Sequence, residues 1–465
     1  MMIKLIKLTV LKNVLIVLLA FSAVFWTGQL WFEQISNRNF FYILLETLPI
    51  SVPLPGQVML DEAYTSILPR RIITNIGSNT FDILYEHINV SERRRNGDQV
   101  LHALHRDGEF VASGPIENWA YFLDTRALIF DYGISMPAEA ILWAYEQRVN
   151  PIANRVQHFD SIYMLPSRSE QRVSVFFLDN ERDVFYQYNV ADGALAEQLM
   201  QTIERVRQTP RELFYFSSVL GGIDLFTRNT YIPVTLHQPF VHPKVEVTFP
   251  YRMQGGALLV DPMEEMVRVF FGNRPPRFAG RLGENFAFSN EHTVVKYFPY
   301  YDVLEYVTYR TSTPVATSFI SDYQAAMLFL HMDATVVNDF FLAGFSTEAE
   351  RRTFYFDFVV GNRPVYMPPT HKMRHAMEIT VENGRVVRYR VLAQNYHVNE
   401  NVSTYSHIVF SDPLDRFFAE GNDLAYAGVQ RLELAFKARG GLDGLALHWF
   451  IQLDDTLYVK YVNQV

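Results

Sequence analysis

His371 and His375 sit four residues apart, the spacing at which two imidazoles share one face of a helix and can grip a zinc ion. Pro368 and Pro369 precede them and a strand is expected by Ala376. In extended chain the two rings lie ~13 Å apart, too far to share an ion. His102 with His105, and His237 with His242, are also closely spaced, but no third His, Asp or Glu recurs at motif spacing. These histidines read as surface or hydrogen-bonded residues, and neither a metal nor another cofactor is assigned.

Asp261, Glu264, Asp454 and Asp455 are the carboxylates from which a hydrolase could be assembled, since general acid and general base must meet in one cleft. Carboxylates on exposed turns are the commoner case. The sequence has no G-x-S-x-G, no H-E-x-x-H, no P-loop and no G-x-G-x-x-G opening a helix. With no cysteine there is no disulfide, no thiolate metal site and no cysteine nucleophile. The expectation is a protein that is not an enzyme. Asn89-Val-Ser91 and Asn401-Val-Ser403 fit the glycosylation sequon, a pattern short enough to arise by chance. The aromatic content, 26 Tyr and 37 Phe, reads as core filling before it reads as a ligand groove.

At 465 residues the chain is long enough for two or three domains, and 49% hydrophobic content supplies their cores. The net charge is -9 with Lys and Arg scattered, which removes nucleic acid from the partners.

Val14 to Phe32 is uncharged for nineteen residues. At 1.5 Å per residue that covers ~28 Å, close to the thickness of a hydrocarbon core. Lys4, Lys7 and Lys12 precede the span while only Arg38 follows within twenty residues, so the amino terminus is expected in the cytoplasm and the bulk outside, at the cell membrane. Ala20 and Ser22 could form a signal-peptidase site, but Trp26, Trp31 and Phe32 beyond it read as an interfacial belt of an uncleaved anchor. Ala20, Ala23 and Thr27 fall on one face, where small residues let a partner helix approach, and Ser22 with Gln29 makes a second, more polar stripe. Single spans often carry a few small residues, so the stripe names no partner by itself.

The expected division is a cytoplasmic tail (1–13), a transmembrane helix (14–32), an amino-terminal extracytoplasmic α+β domain (33–210), a central domain (211–345) and a carboxy-terminal domain (346–465). Ser51-Val-Pro-Leu-Pro-Gly56 breaks regular structure, and in residues 60–75 Pro69 separates a short helical turn from a strand. Leu128–Tyr132 reads as a strand leading to a helix with Ile141, Leu142 and Tyr145 on one face. Arg172–Leu178 and Val184–Tyr188 form a hairpin, and Asp192 caps a helix with Leu195, Leu199, Ile203 and Val206 in line. Val245, Val247 and Phe249 alternate in a strand, followed by strands at Met266–Phe271, Thr293–Phe298 and Val303–Tyr309. Ser321 and Gln324 suggest a capping box opening a helix that runs toward Gly344.

Thr353–Val360 opens the last set. Its hairpin, Met377–Val381 with Arg385–Val391, closes around Glu382-Asn383-Gly384. A two-residue Asn-Gly turn would oppose Ile379 with Arg388. A three-residue loop pairs Ile379 with Val387, Met377 with Tyr389 and Glu378 with Arg388, keeping one apolar face, and is the expected form. Strands leading into a helix in both later sets hint at related domains in tandem.

The order and spacing of LDEAYTSILPRRII near residue 60, LIFDYGISMP near 128, VDPMEEMVRVFF near 260, VVKYFPYYDVLEYV near 294, HAMEITVENGRVVRYR near 375 and LHWFIQL near 447, behind one amino-terminal span, resemble the YycH family of Gram-positive bacteria. Ser289-Asn290-Glu291 departs from the family pattern, which has an Asp-Gly-type turn there. The resemblance implies an ectodomain of mainly antiparallel sheets with packed helices, its last two domains YycI-like. It also implies a regulator of the WalK (YycG) sensor histidine kinase of cell-wall metabolism, acting with a YycI-like partner through transmembrane and extracytoplasmic contacts. The alternative is an extracytoplasmic module that binds a cell-envelope component in a cleft.

Overall fold

The computed structural model describes residues 67–85, 91–144, 152, 154–251, 259–272, 274–309, 317–333, 337–368, 371–419, 428–438, 445–453, 456–461 and 463–464. The tail, the membrane span with Ala20, Ser22, Ala23, Thr27 and Gln29, the helical turn of residues 60–66, and Tyr145, Asp454 and Asp455 lie outside these. Among the described residues no helix is long and apolar enough to cross a membrane.

The first block runs β1 (Arg71–Gly77), β2 (Thr80–Leu84), α1 (Glu92–Asp107), β3 (Glu109–Pro115), α2 (Trp119–Asp124), β4 (Ala127–Pro137), α3 (Glu139–Ala144), β5 (His158–Ser167), β6 (Arg172–Asp179), β7 (Val184–Val190), α4 (Gly193–Gln208), β8 (Leu213–Ser217) and β9 (Tyr231–Thr235). Its nine strands form one sheet in the order β3-β7-β6-β5-β4-β1-β2-β8-β9, every pairing antiparallel. β5 and β6 are apolar on both faces and buried almost throughout, as strands covered on both sides must be. One cover is the helix pair α1 and α4. Asp192 caps α4 by accepting from the amides of Ala194 and Leu195, and Leu199, Ile203 and Val206 face inward as their spacing requires. Asn96 binds Thr202 at 2.6 Å and Gln198 at 2.7 Å, which fixes the two helices to each other.

The second block runs β10 (Phe240–Thr248), α5 (Val260–Val267) with a 3-10 turn at Arg268–Phe271, β11 (Phe278–Leu282), β12 (Asn285–Ser289), β13 (Thr293–Phe298), β14 (Val303–Thr308), α6 (Phe319–Leu330), β15 (Asp339–Glu348), β16 (Arg351–Val360), β17 (Arg363–Tyr366), β18 (Met377–Glu382), β19 (Arg385–Leu392), β20 (Asn395–His407), α7 (Ser411–Ala419), β21 (Arg431–Lys437), β22 (Leu447–Leu453), β23 (Thr456–Tyr461) and β24 (Asn463–Gln464). Twelve strands join in the order β11-β12-β13-β14-β19-β18-β16-β17-β21-β22-β23, with β15 beside β16, and β10, β20 and β24 make a separate ribbon. Because β14 pairs with β19, strands on either side of residue 345 share a sheet, and β8 and β9 beyond residue 210 complete the first one. Glu62–Val465 forms a single compact unit.

Three local expectations are corrected. Met266–Phe271 is not a strand: Met263, Val267, Phe270 and Phe271 are buried at helical spacing, and Pro262 falls in the first helical turn, where a missing amide costs nothing. The helix α6 opens one turn earlier than expected, with Ser318 and Ser321 forming the reciprocal cap, and ends at Leu330; Gly344 instead lies at a bulge in β15. The hairpin of β18 and β19 closes with a two-residue Asn383-Gly384 turn, both residues at positive φ, pairing Glu382 with Arg385. One extra residue in β19 then restores the face, so that Ile379 opposes Tyr389 and Met377 opposes Val391. At the turn after β12, where the sequence departs from the family pattern, Asn290 accepts from the amides of His292 (3.0 Å) and Thr293 (2.9 Å), its side chain supplying the turn.

The other face of the first sheet packs on the second. Ile73, Phe81, Ile129, Tyr163 and Phe176 meet Phe341, Val359, Tyr366, Ala435 and Phe450 in one buried cluster. Its rim is charged, with Arg71 and Asp131 at the edge.

Candidate functional site: a charged cavity between the sheets

Arg70 and Arg71 follow Pro69 at the head of β1. The register sets Arg71 beside Asp131 of β4, and Asp131 beside Ser161 of β5. Two residues along, Ile73, Ile129 and Tyr163 occupy the same face and belong to the buried cluster, so the polar row is where that cluster reaches water. β4 parts from β5 after Asp131 and rejoins it at Met136, and the bulge exposes Asp160 to the gap.

Across the gap β21 presents Arg431 and Glu433. Glu433 is the centre of a buried network: Arg70 donates to it at 2.5 Å, Tyr366 donates at 2.7 Å, and the Tyr85 hydroxyl donates to its other oxygen. Arg431 and Arg71 approach it at 3.6 and 3.8 Å. Arg71 is held by Asp131 at 2.6 Å, whose other oxygen accepts from the Gly133 amide at 2.9 Å. The three guanidiniums also lie over rings, Arg70 over Phe341 (5.4 Å), Arg71 over Tyr231 (5.4 Å) and Arg431 over Tyr366 (5.3 Å). Burial alone would push the Glu433 carboxyl up, but Arg70, Arg431 and Arg71 outweigh it and hold the group well below the usual carboxylate range. Residues from both sheets meet on one carboxylate, so the network is a link between sheets as well as a charge cluster.

Beside it opens a cavity of about 430 Å³. Along the sheet order its walls differ in sign. Asp131 and Asp160 on β4 and β5, with Glu181 and Asp183 in the turn before β7, form one wall, while Arg70, Arg71, Arg228 and Arg431 form the other. Trp119, Tyr163, Tyr231 and Phe226 supply apolar surface. Burial pushes the Asp160 carboxyl up to about 7, against the hydrogen bonds from the Asn180 amide and the Ser161 hydroxyl and with the help of the Asp131 and Asp179 charges. The Tyr231 hydroxyl, 3.4 Å from that of Tyr163, is pushed up to about 12 by burial. The arrangement can bind polar groups of both signs and can take up a proton near neutrality at Asp160.

The residues singled out by spacing do not meet here. His371 lies 3.2 Å from the Tyr301 carbonyl, and His375 lies 3.1 Å from Asp357, whose charge overcomes the downward effect of burial and raises its pKa. His105 bonds the Leu101 carbonyl within α1, and His242 sits 3.1 Å from the Ser406 hydroxyl. Asp261 is exposed and Glu264 half-buried on α5. Among the described residues no three His, Asp or Glu form a metal-ligating group. Spacing missed Arg70, Arg71, Asp131, Asp160 and Glu433. The available signal was a lone charge inside an apolar strand, as in LIFDY, HFDSIYML and RLELAF.

No family model matches the chain, and no curated protein matches it. Among solved structures, the crystal structure of YycH from Bacillus subtilis aligns at a TM-score of 0.55 and 10% identity, covering 86% of this chain and 96% of that one. The C-terminal domain of YpeB from Bacillus megaterium aligns at a TM-score of 0.23 and 9% identity, over 44% of this chain and 98% of that domain, too loosely to carry an argument. The likeness to YycH is one of fold: mostly antiparallel sheets with packed helices.

Proposed function

We propose that this chain is a membrane-anchored, extracytoplasmic regulator of a sensor histidine kinase of the WalK (YycG) type, acting by contact together with a YycI-like protein. The observation that carries the reading is the YycH-like fold over 86% of the chain, at a likeness that extends to nearly the whole of the other protein. The uncharged run Val14–Phe32 and the positive charges before it support a single span with the bulk outside. Signal would then pass by helix contact, with Ala20, Ala23 and Thr27 as the close-packing stripe and Ser22 and Gln29 beside it. A regulator of this kind shifts its partner only through differential contact with the partner's two states.

The test is co-purification of the kinase from native membranes with the full-length chain and with a version whose span is replaced by poly-Leu. Loss of binding on replacement supports recognition through the span. Binding by both versions moves recognition to the ectodomain, and binding by neither overturns the reading. The charged cavity favours a second reading, an extracytoplasmic ligand-binding module, whose ligand would supply the differential contact.

A further inference from the structure

The cavity wall changes sign across a short distance. In the order β7-β6-β5-β4-β1, carboxylates occupy the turn before β7, then β5 and β4, and arginines begin at β1 and continue on β21 of the other sheet. Four of each sign line the space, so neither a net anion nor a net cation is matched, whereas a neutral molecule charged at both ends is. Both walls keep binding capacity. Arg431 meets Glu433 only at 3.6 Å, too long for a hydrogen bond, and its side chain is 27% exposed, so its fork is available to a second carboxylate. Asp160 is buried, and its Oδ1 accepts from Ser161 (2.9 Å) and Asn180 (2.6 Å) while its Oδ2 accepts from the Asn180 amide alone (2.7 Å), leaving room for another donor.

We propose that this cavity binds a short peptide with both ends unblocked, its carboxylate on the arginine wall around Arg431 and its ammonium on the carboxylate wall around Asp160. The size follows from strand spacing: the walls meet where Arg71 holds Asp131, but β5 and β1 are separated by β4, so Asp160 and the β1 arginines are roughly 10 Å apart. An extended peptide of two or three residues places its ends about 7–10 Å apart. A volume of about 430 Å³ accommodates such a ligand, and Trp119, Tyr163 and Tyr231 face its apolar middle. An ammonium beside Asp160 favours the ionised carboxylate, so binding near neutral pH is accompanied by proton release. This occupancy rests on the ligand-binding reading alone, and loss of kinase contact would leave it standing.

The experiment is calorimetric titration of the full-length chain in detergent with trialanine, N-acetyl-trialanine and trialanine amide. Saturable binding of trialanine, weakened about tenfold or more by either cap, is expected. Arg431→Gln should remove the penalty for amidation, and Asp160→Asn the penalty for acetylation. Equal binding of all three peptides would overturn two-ended recognition while leaving a ligand-binding cavity. Binding of none would overturn both. If a variant fails to fold, the three peptides against the natural chain still decide.

Discussion

Glu433 and Asp160 are two buried carboxylates that respond to pH in opposite directions. Glu433 is surrounded by three guanidiniums and held below its ordinary range, so its contribution to stability is present above about pH 4.5 and lost as the pH falls below it. Asp160 is raised from 3.8 to about 7, so the stability linked to its protonated form is complete below its unfolded value and lost as the pH rises through 7. Asp160→Asn should therefore flatten the fall in urea midpoint between about pH 4 and 7; an unchanged slope would show that Asp160 is solvated. Glu433→Gln leaves Arg70, 4% exposed, without its counter-charge. Removing one partner of a buried pair costs ~3–5 kcal/mol, and urea unfolding at neutral pH should read a loss of that order. A loss below about 1 kcal/mol, the range of exposed pairs, would mean that water reaches the network.

The amino-terminal helix pair carries a test at the scale of the element. Gly97 lies in the middle of α1, where alanine ordinarily gains about 1 kcal/mol over glycine. Here an added Cβ would sit 2.3 Å from the Phe130 ring, which rises from β4 beneath the helix. Gly97→Ala should destabilise, by roughly 1–3 kcal/mol as overpacking does, and Phe130→Leu in the same chain should recover part of the loss. Thermal unfolding of the single and double variants distinguishes this from the usual helix-stabilising effect. A related trade is visible in the β18–β19 hairpin. The Asn383-Gly384 turn prefers two residues because both take positive φ, and a bulge in β19 absorbs the resulting mismatch of faces.

The molecule as a whole is tied together by a shared apolar cluster and by Glu433, both drawing residues from the nine-stranded and the twelve-stranded sheets. Neither sheet can separate without exposing Tyr163, Tyr366 and Phe450 and stranding Arg70. Hydrogen exchange in native conditions should therefore give the buried strands β5 and β22 a common opening free energy, equal to that of global unfolding. Two distinct values would show that each sheet opens by itself. This coupling matters for function because a ligand in the cavity touches both sheets, and such a ligand can bias their relative arrangement.

Local order was legible in residue patterns that depend on near neighbours only. Asp192 at the start of α4, the alternation of Val245 and Val247, and the hairpin of β6 and β7 follow from capping, period-two burial and the polar Asp179–Asp183 turn, which act within a few residues. Met266–Phe271 reads as a strand yet folds as helix because a short apolar run has no period long enough to separate the two. The α+β character and the absence of the common catalytic signatures were likewise determined by the sequence. The charged cavity was not, since Arg70, Asp131, Asp160 and Glu433 lie as far as 363 positions apart and a lone charge in an apolar strand does not name its partners. Only the packing of one sheet face on another brings them together, because the energy of a charge is set by which groups desolvate and surround it, and that is a property of tertiary structure.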